Sequence, residues 1–189
     1  MLEGRKLWGK DQEDALQQIS YKNQNIYSYK GMDQNIYINL VNSARRYGKK
    51  TAIVTDSGNR ITYDKFLEEV DITAAYLKYE KKILPGDRVV LMLYNTLEFC
   101  VLVYAAAKVG GVIVPISTKY KLYEWHALFQ KFSFTLLFLD QRLRQYEEIL
   151  RKEYPCVEIE VLREGDLQKR TEGSLDRNHI VEAKAGWED

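Results

Sequence analysis

Residues 88–116 read RVVLMLYNTLEFCVLVYAAAKVGGVIVPI, and this stretch decides the fold class. Val89 to Tyr94 is an unbroken apolar run, as expected of a strand covered on both faces. Asn95, with Glu98 three residues on, forms a capping pair that opens a helix. The helix should run to about Val109, with Lys108 favouring the negative end of its dipole and Gly110-Gly111 stopping it. Val112 to Ile116 is then a second apolar strand, which makes the whole a βαβ unit. Just upstream, Leu84-Pro85-Gly86-Asp87 places Pro and Gly at the centre of a type II turn, so the first strand starts at Arg88.

The same rhythm continues outward. Helix signals over 121–131 and 143–153 alternate with β-prone runs Thr135 to Leu139 and Val157 to Leu162. The expected fold class is therefore α/β, a Rossmann-like, mainly parallel sheet with helices on both faces. Towards the N-terminus, Thr62 is an N-cap for a helix whose apolar stripe is Tyr63, Phe66, Leu67, Val70, Ala74 and Leu77. Before it, Thr51 to Thr55, the turn Asp56-Ser57-Gly58-Asn59 and Arg60 to Thr62 form a small hairpin. A short amphipathic helix from Ile38 to Tyr47 is ended by Gly48. Residues 1–34, rich in Gln, Asn, Tyr and Lys, read as a loosely structured variable leader. Residues 35–162 form the α/β unit, and the charged, aperiodic stretch 163–189 reads as a linker.

With 189 residues, 46% apolar and 12% aromatic, the chain can bury one sizeable core. Lys and Arg number 28 against 27 Asp and Glu, a net charge of +1 that provides no field for nucleic acid or an anionic membrane. Two cysteines, Cys100 and Cys156, are too few for a disulfide framework, and Cys100 falls on a helical stripe with Val103, Tyr104 and Ala107. The absence of an apolar signal region in Met1 to Ser20 leads to a cytoplasmic expectation. Residues 89–116 contain Asn95, Glu98, Lys108, two glycines and Pro115, so they are not read as a membrane span.

Three segments in fixed order carry a family resemblance. The first is Ile61-Thr62-Tyr63-Asp64-Lys65-Phe66-Leu67 behind the strand with Ala52-Ile53-Val54. The second is Pro85-Gly86-Asp87-Arg88-Val89-Val90 leading to Tyr94-Asn95-Thr96-Leu97-Glu98-Phe99. The third is Ala106-Ala107-Lys108-Val109-Gly110-Gly111-Val112-Ile113-Val114-Pro115-Ile116-Ser117, followed by a helix with Tyr123-Glu124-Trp125 and Leu128. Together, over roughly Leu40 to Asp140, they resemble the opening of the adenylate-forming superfamily, the AMP-binding enzymes that include acyl-CoA synthetases, luciferases and amino-acid-activating domains.

That resemblance implies the first subdomain of an enzyme that joins a carboxylic acid, with fatty acid as the leading expectation, to ATP and passes the acyl-adenylate to a thiol such as coenzyme A. It implies ATP, magnesium and coenzyme A as requirements of the full-length enzyme, and none held by this chain. The 189 residues contain no Ser/Thr/Gly-rich phosphate loop closed by Lys and no G-x-x-x-x-G-K-[ST]. Gly186 to Asp189 stand about where the strand before that loop would begin. No catalytic, cofactor-binding or metal-binding residue is assigned, and His126 lacks partners at ligand spacing.

The expected partner is the remainder of the ligase, with self-association through the seam it would cover. A free-standing binding module of the same fold, or one half of a split ligase, are the alternatives. Since ligands meet open α/β sheets beyond the carboxyl ends of strands, Tyr94, Asn95, Ser117 and Thr118 are the substrate-facing candidates. Arg142, Arg144, Arg151 and Lys152 alternate with Glu147, Glu148 and Glu153 as a solvated helix face.

Overall fold

The structure, a computed structural model, describes residues 9–21, 23–31 and 35–172. Gly186 to Asp189 lie outside the described residues. The chain opens with a one-turn helix α1 (Lys10–Asp14) and strands β1 (Leu16–Tyr21) and β2 (Gln24–Tyr29), which pair antiparallel. The leader is thus not loosely structured throughout. Its hairpin turns at Asn23, whose φ of 62° is the left-handed conformation that Asn tolerates.

Then come α2 (Ile36–Tyr47), the antiparallel pair β3 (Thr51–Val54) and β4 (Arg60–Thr62), and the long helix α3 (Tyr63–Tyr79). The α/β body follows as β5 (Arg88–Met92), α4 (Leu97–Val109), β6 (Val112–Pro115), α5 (Leu122–Phe129) and β7 (Leu136–Asp140). A 3-10 turn (Gln141–Tyr146), α6 (Glu147–Glu153), β8 (Glu158–Leu162) and α7 (Asp166–Glu172) complete it. Residues 163–172, read from the sequence as linker, include α7, which docks Leu167 at 2% exposure into the core beside α3. One leucine in a charged stretch gives no periodic signal, which is why the helix is not visible in the pattern.

Four strands form one wholly parallel sheet in the order β6-β5-β7-β8. The period of two along each strand sends alternate side chains to opposite faces. Val89, Leu91, Leu136 and Phe138 meet α2, α3 and α4, whereas Val90, Met92, Leu137 and Leu139 meet α5 and α6 with Trp125, Phe129 and Leu150. Both faces are therefore buried, which explains the unbroken apolar runs. Helix α4 is apolar nearly all round for the same reason. Val101, Leu102, Ala105, Ala106 and Val109 are fully enclosed, while the expected stripe of Cys100, Val103, Tyr104 and Ala107 is only half-buried.

Local signals hold the elements in place. The Thr62 hydroxyl accepts from the Lys65 N–H at 3.3 Å and caps α3. Asn35 caps α2 by accepting from the Tyr37 N–H at 2.8 Å, and its amide donates to the Ala107 carbonyl at 2.7 Å, tying α2 to the end of α4. Nearby, Asp71 accepts from the Tyr37 hydroxyl and the Lys108 ammonium, both at 2.9 Å. Gly48 lies at the end of α2 with φ −42°, so the helix does not stop there by a left-handed residue. Gly110 does stop α4 in that way, with φ 82°, and a Cβ there would stand 3.2 Å from the Pro85 Cβ. Gly110→Ala is expected to lose about 1–2 kcal/mol of stability, read as a lower urea midpoint with unchanged slope.

One buried polar cluster fastens β8 beneath α3. The Tyr76 hydroxyl donates to both Glu160 carboxylate oxygens at 2.8 and 2.9 Å, and Lys81 pairs with Glu160 and, at 2.6 Å, with Glu158. Burial first, and then the bond to Glu160, push the Tyr76 phenol up to about 12. Burial pulls the Lys81 ammonium down, but its bonds to Glu158, Glu160 and Tyr76 outweigh it and raise Lys81 above its ordinary value. Both groups are raised in the folded state, so their stabilisation is complete below the unfolded tyrosine value of about 10 and falls as pH climbs towards about 12. Denaturation midpoints that decline over this alkaline window, and decline less in Tyr76→Phe, are the expected result.

Candidate functional site

The topology places a crevice before any side chain is considered. From β5 the chain leaves through α4 on one face to reach β6. From β7, the neighbour on the other side of β5, it leaves through the 3-10 turn and α6 on the opposite face to reach β8. The carboxyl ends of β5 and β7 therefore flank the switch point at which ligands bind open α/β sheets. A cleft of about 750 Å³ opens there, walled by the ends of all four strands.

All four residues singled out from the sequence line this cleft: Tyr94 and Asn95 after β5, Ser117 and Thr118 after β6. Their environments differ. Tyr94 and Asn95 are exposed, Thr118 is half-buried, and Ser117 holds its own loop. The Ser117 hydroxyl accepts from the Lys119 N–H at 3.3 Å, and its carbonyl accepts from the indole N–H of fully buried Trp125 at 3.3 Å.

The structure adds two residues to the cleft, Asp140 at the end of β7 and Arg142 just after it, the latter within the charged stretch read from the sequence as a solvated face. Asp140 ends β7 at 6% exposure, and its carboxylate is saturated. Oδ1 accepts from the Arg142 backbone N–H at 3.0 Å and from Arg142 Nε at 2.8 Å. Oδ2 accepts from the second guanidinium nitrogen at 2.8 Å and from the Tyr94 N–H at 3.3 Å. The guanidinium so fixed lies 3.7 Å from the Tyr94 ring centroid. Burial pushes the Asp140 carboxyl up, yet the Arg142 and Tyr94 bonds outweigh it and hold the group below its ordinary value. Arg151 and Arg144 do pair with Glu147 along the helix as expected.

Glu98 also departs from the sequence reading. Helix α4 starts at Leu97 with Thr96 in the capping position and no side-chain cap bond, so Asn95 and Glu98 do not form the expected capping pair. Glu98 turns inward to 5% exposure and accepts from the Gly165 N–H at 2.6 Å, tying the loop after β8 to the floor of the cleft. Its tertiary partner lies 67 residues away, beyond the reach of a local pattern. A carboxylate at the first turn of α4 also makes that helix terminus a poor cradle for a second anion.

Other reactive groups lie elsewhere. His126 stands between α5 and α6, with Nδ1 3.0 Å from the Tyr154 hydroxyl and 2.9 Å from Glu153 Oε2. Burial raises the half-buried Cys100 thiol, the reverse of an activated nucleophile. Among the described residues there is no group of three metal-ligating side chains, and no helix is long and apolar enough to cross a membrane.

Comparison with known proteins agrees with this architecture. A family model described as AMP-binding enzyme matches residues 40–185. The long-chain-fatty-acid–CoA ligase FadD13 of Mycobacterium tuberculosis is 57% identical over 37 residues, which are 20% of this chain and 7% of that protein. The crotonobetaine/carnitine–CoA ligase of Escherichia coli K12 is 38% identical over 77 residues, 39% of this chain and 15% of that protein. Among solved structures, a fatty acyl CoA synthetase of M. tuberculosis superposes with a TM-score of 0.68 at 26% identity over 78% of this chain and 30% of its own. The N-terminal domain of FACL13 from the same organism gives 0.66 at 25% identity over 82% and 37%. The chain thus spans about 30% of the length of the whole synthetase it resembles.

Proposed function

Because the chain belongs to the AMP-binding enzyme family, we propose that it forms the first subdomain of an ATP-dependent acid–CoA ligase acting on a fatty acid. In that reaction the acid displaces pyrophosphate from ATP to give an acyl-adenylate, and the thiol of coenzyme A then displaces AMP to give the thioester. The observation that carries the reading is the family match over residues 40–185, with curated relatives that are acid–CoA ligases and a solved neighbour that is a fatty acyl CoA synthetase.

The role assigned to these residues is that of scaffold and cleft wall. Holding ATP phosphates requires a cradle of backbone N–H groups free to point at an anion. The helix that opens beside this cleft has the buried Glu98 carboxylate in its first turn instead. Phosphate binding and the adenylating chemistry are accordingly assigned to polypeptide other than residues 1–189, and Tyr94, Asn95, Ser117 and Thr118 to the wall that faces it. Reading the source gene beyond the codon for Asp189 tests this. An in-frame Ser/Thr/Gly-rich loop closed by Lys is the expected result. A stop codon, with no ligase sequence encoded alongside, would count against it.

A further inference from the structure

Tyr94 follows β5; its backbone N–H is held by Asp140 at the end of β7, and its ring by Arg142 in the 3-10 turn that follows β7. We infer that Asp140 and Arg142 are positioning residues for the cleft: Asp140 clamps the Arg142 guanidinium, and Arg142 holds the Tyr94 ring as a fixed wall. The inference rests on the reading above that the cleft receives a ligase substrate.

The geometry makes each link specific. The Asp140 carboxylate takes four hydrogen bonds, two of them the parallel pair from Arg142 Nε and its second nitrogen, which set the plane of the guanidinium. The guanidinium carbon lies 3.7 Å from the Tyr94 ring centroid, and the Tyr94 N–H is itself one of the four donors. Ring and backbone of Tyr94 are thus tied to one carboxylate across the β5–β7 boundary. Arg142 remains 56% exposed at its side chain, so it caps the cleft wall from the solvent side and is not part of the core. A lysine in its place would keep the charge but supply neither the planar fork nor the stacked face.

The test combines a structural and a kinetic readout on the full-length protein that carries these residues. Labelling with 3-fluorotyrosine gives one fluorine signal per tyrosine, and Tyr94→Phe identifies that of Tyr94 by its loss. Arg142→Ala, Arg142→Lys and Asp140→Asn are each expected to displace the Tyr94 signal. They are also expected to raise KM for one of the three substrates, acid, ATP or coenzyme A, by about three- to tenfold with kcat nearly unchanged. Tyr94→Ala is expected to raise the same KM, and combining it with Arg142→Ala to add little, since both remove one interaction. A Tyr94 signal unmoved in all three variants overturns the inference, as do unchanged KM values or fully additive effects. A wild-type protein that makes no thioester sinks the ligase reading by itself, and the fluorine signal then still decides whether Asp140 and Arg142 set Tyr94.

Discussion

Phe138→Ala is expected to lower stability by about 3–5 kcal/mol, enough to unfold much of the population at 37 °C. Phe138 is fully buried at the middle of β7, and its ring faces the cluster beneath α2, α3 and α4, with Leu91, Leu136 and Leu102 in the same core. Strands β5 and β8 flank it in register, Leu91 on one side and Glu160 on the other, and those paired backbones cannot close on the vacated volume without breaking the ladder. Phe138→Leu keeps most of the volume and is expected to cost under about 1.5 kcal/mol. Urea unfolding monitored by circular dichroism distinguishes the two. Equal costs for Ala and Leu would mean that Phe138 is not packed as described.

The second large effect concerns charge. Removing Lys81 takes from Glu160, 7% exposed, the ammonium paired with it beside the Tyr76 hydroxyl. Breaking a buried pair by removing one partner typically costs about 3–5 kcal/mol, and Lys81→Ala is expected near the lower end because its side chain keeps 13% of its surface. Glu160→Gln in the same chain still accepts from Tyr76 yet carries no charge, so the double variant should recover most of the loss. A double-mutant cycle read by urea unfolding gives this coupling directly. Additive single effects would show that the pair is solvated and contributes little.

What the sequence disclosed and what it withheld divide by the range of the interaction. The run from Arg88 to Ile116 announces strand, helix and strand because apolar continuity, a left-handed Gly110 and a Pro-Gly turn are all local, and each stands where it was read. The capping pair does not form because Glu98 turns one carboxylate oxygen to the Gly165 N–H instead of to its own helix end, and its other oxygen is buried without a partner among the described residues. Arg142 is exposed, as its charged setting suggests, but its clamp by Asp140 and its contact with Tyr94 are not visible in the sequence, for a related reason. Its neighbours in sequence are charged, but its partner Tyr94 lies just after β5, which the order β6-β5-β7-β8 alone places beside β7. The available signal was Asp140, a carboxylate at the end of an apolar run, where strand ends of α/β sheets place functional groups. The four residues chosen by the same rule do share the cleft, because strand ends are legible even when strand order is not. The hairpin of residues 16–29 escaped because Gln, Asn and Tyr carry no clean alternation of apolar and polar residues, leaving Asn23 as its one local cue.

The central claim is that these residues are the scaffold of an acid–CoA ligase whose adenylating groups lie in other polypeptide. It is tested most directly by incubating the full-length protein that carries them, and separately residues 1–189, with a long-chain fatty acid, ATP, magnesium and coenzyme A, and measuring AMP and acyl-CoA together. The account predicts equal amounts of both products from the full-length protein and neither from residues 1–189. Thioester made by residues 1–189 alone, or a full-length protein that forms no AMP with any acid tried, would contradict it.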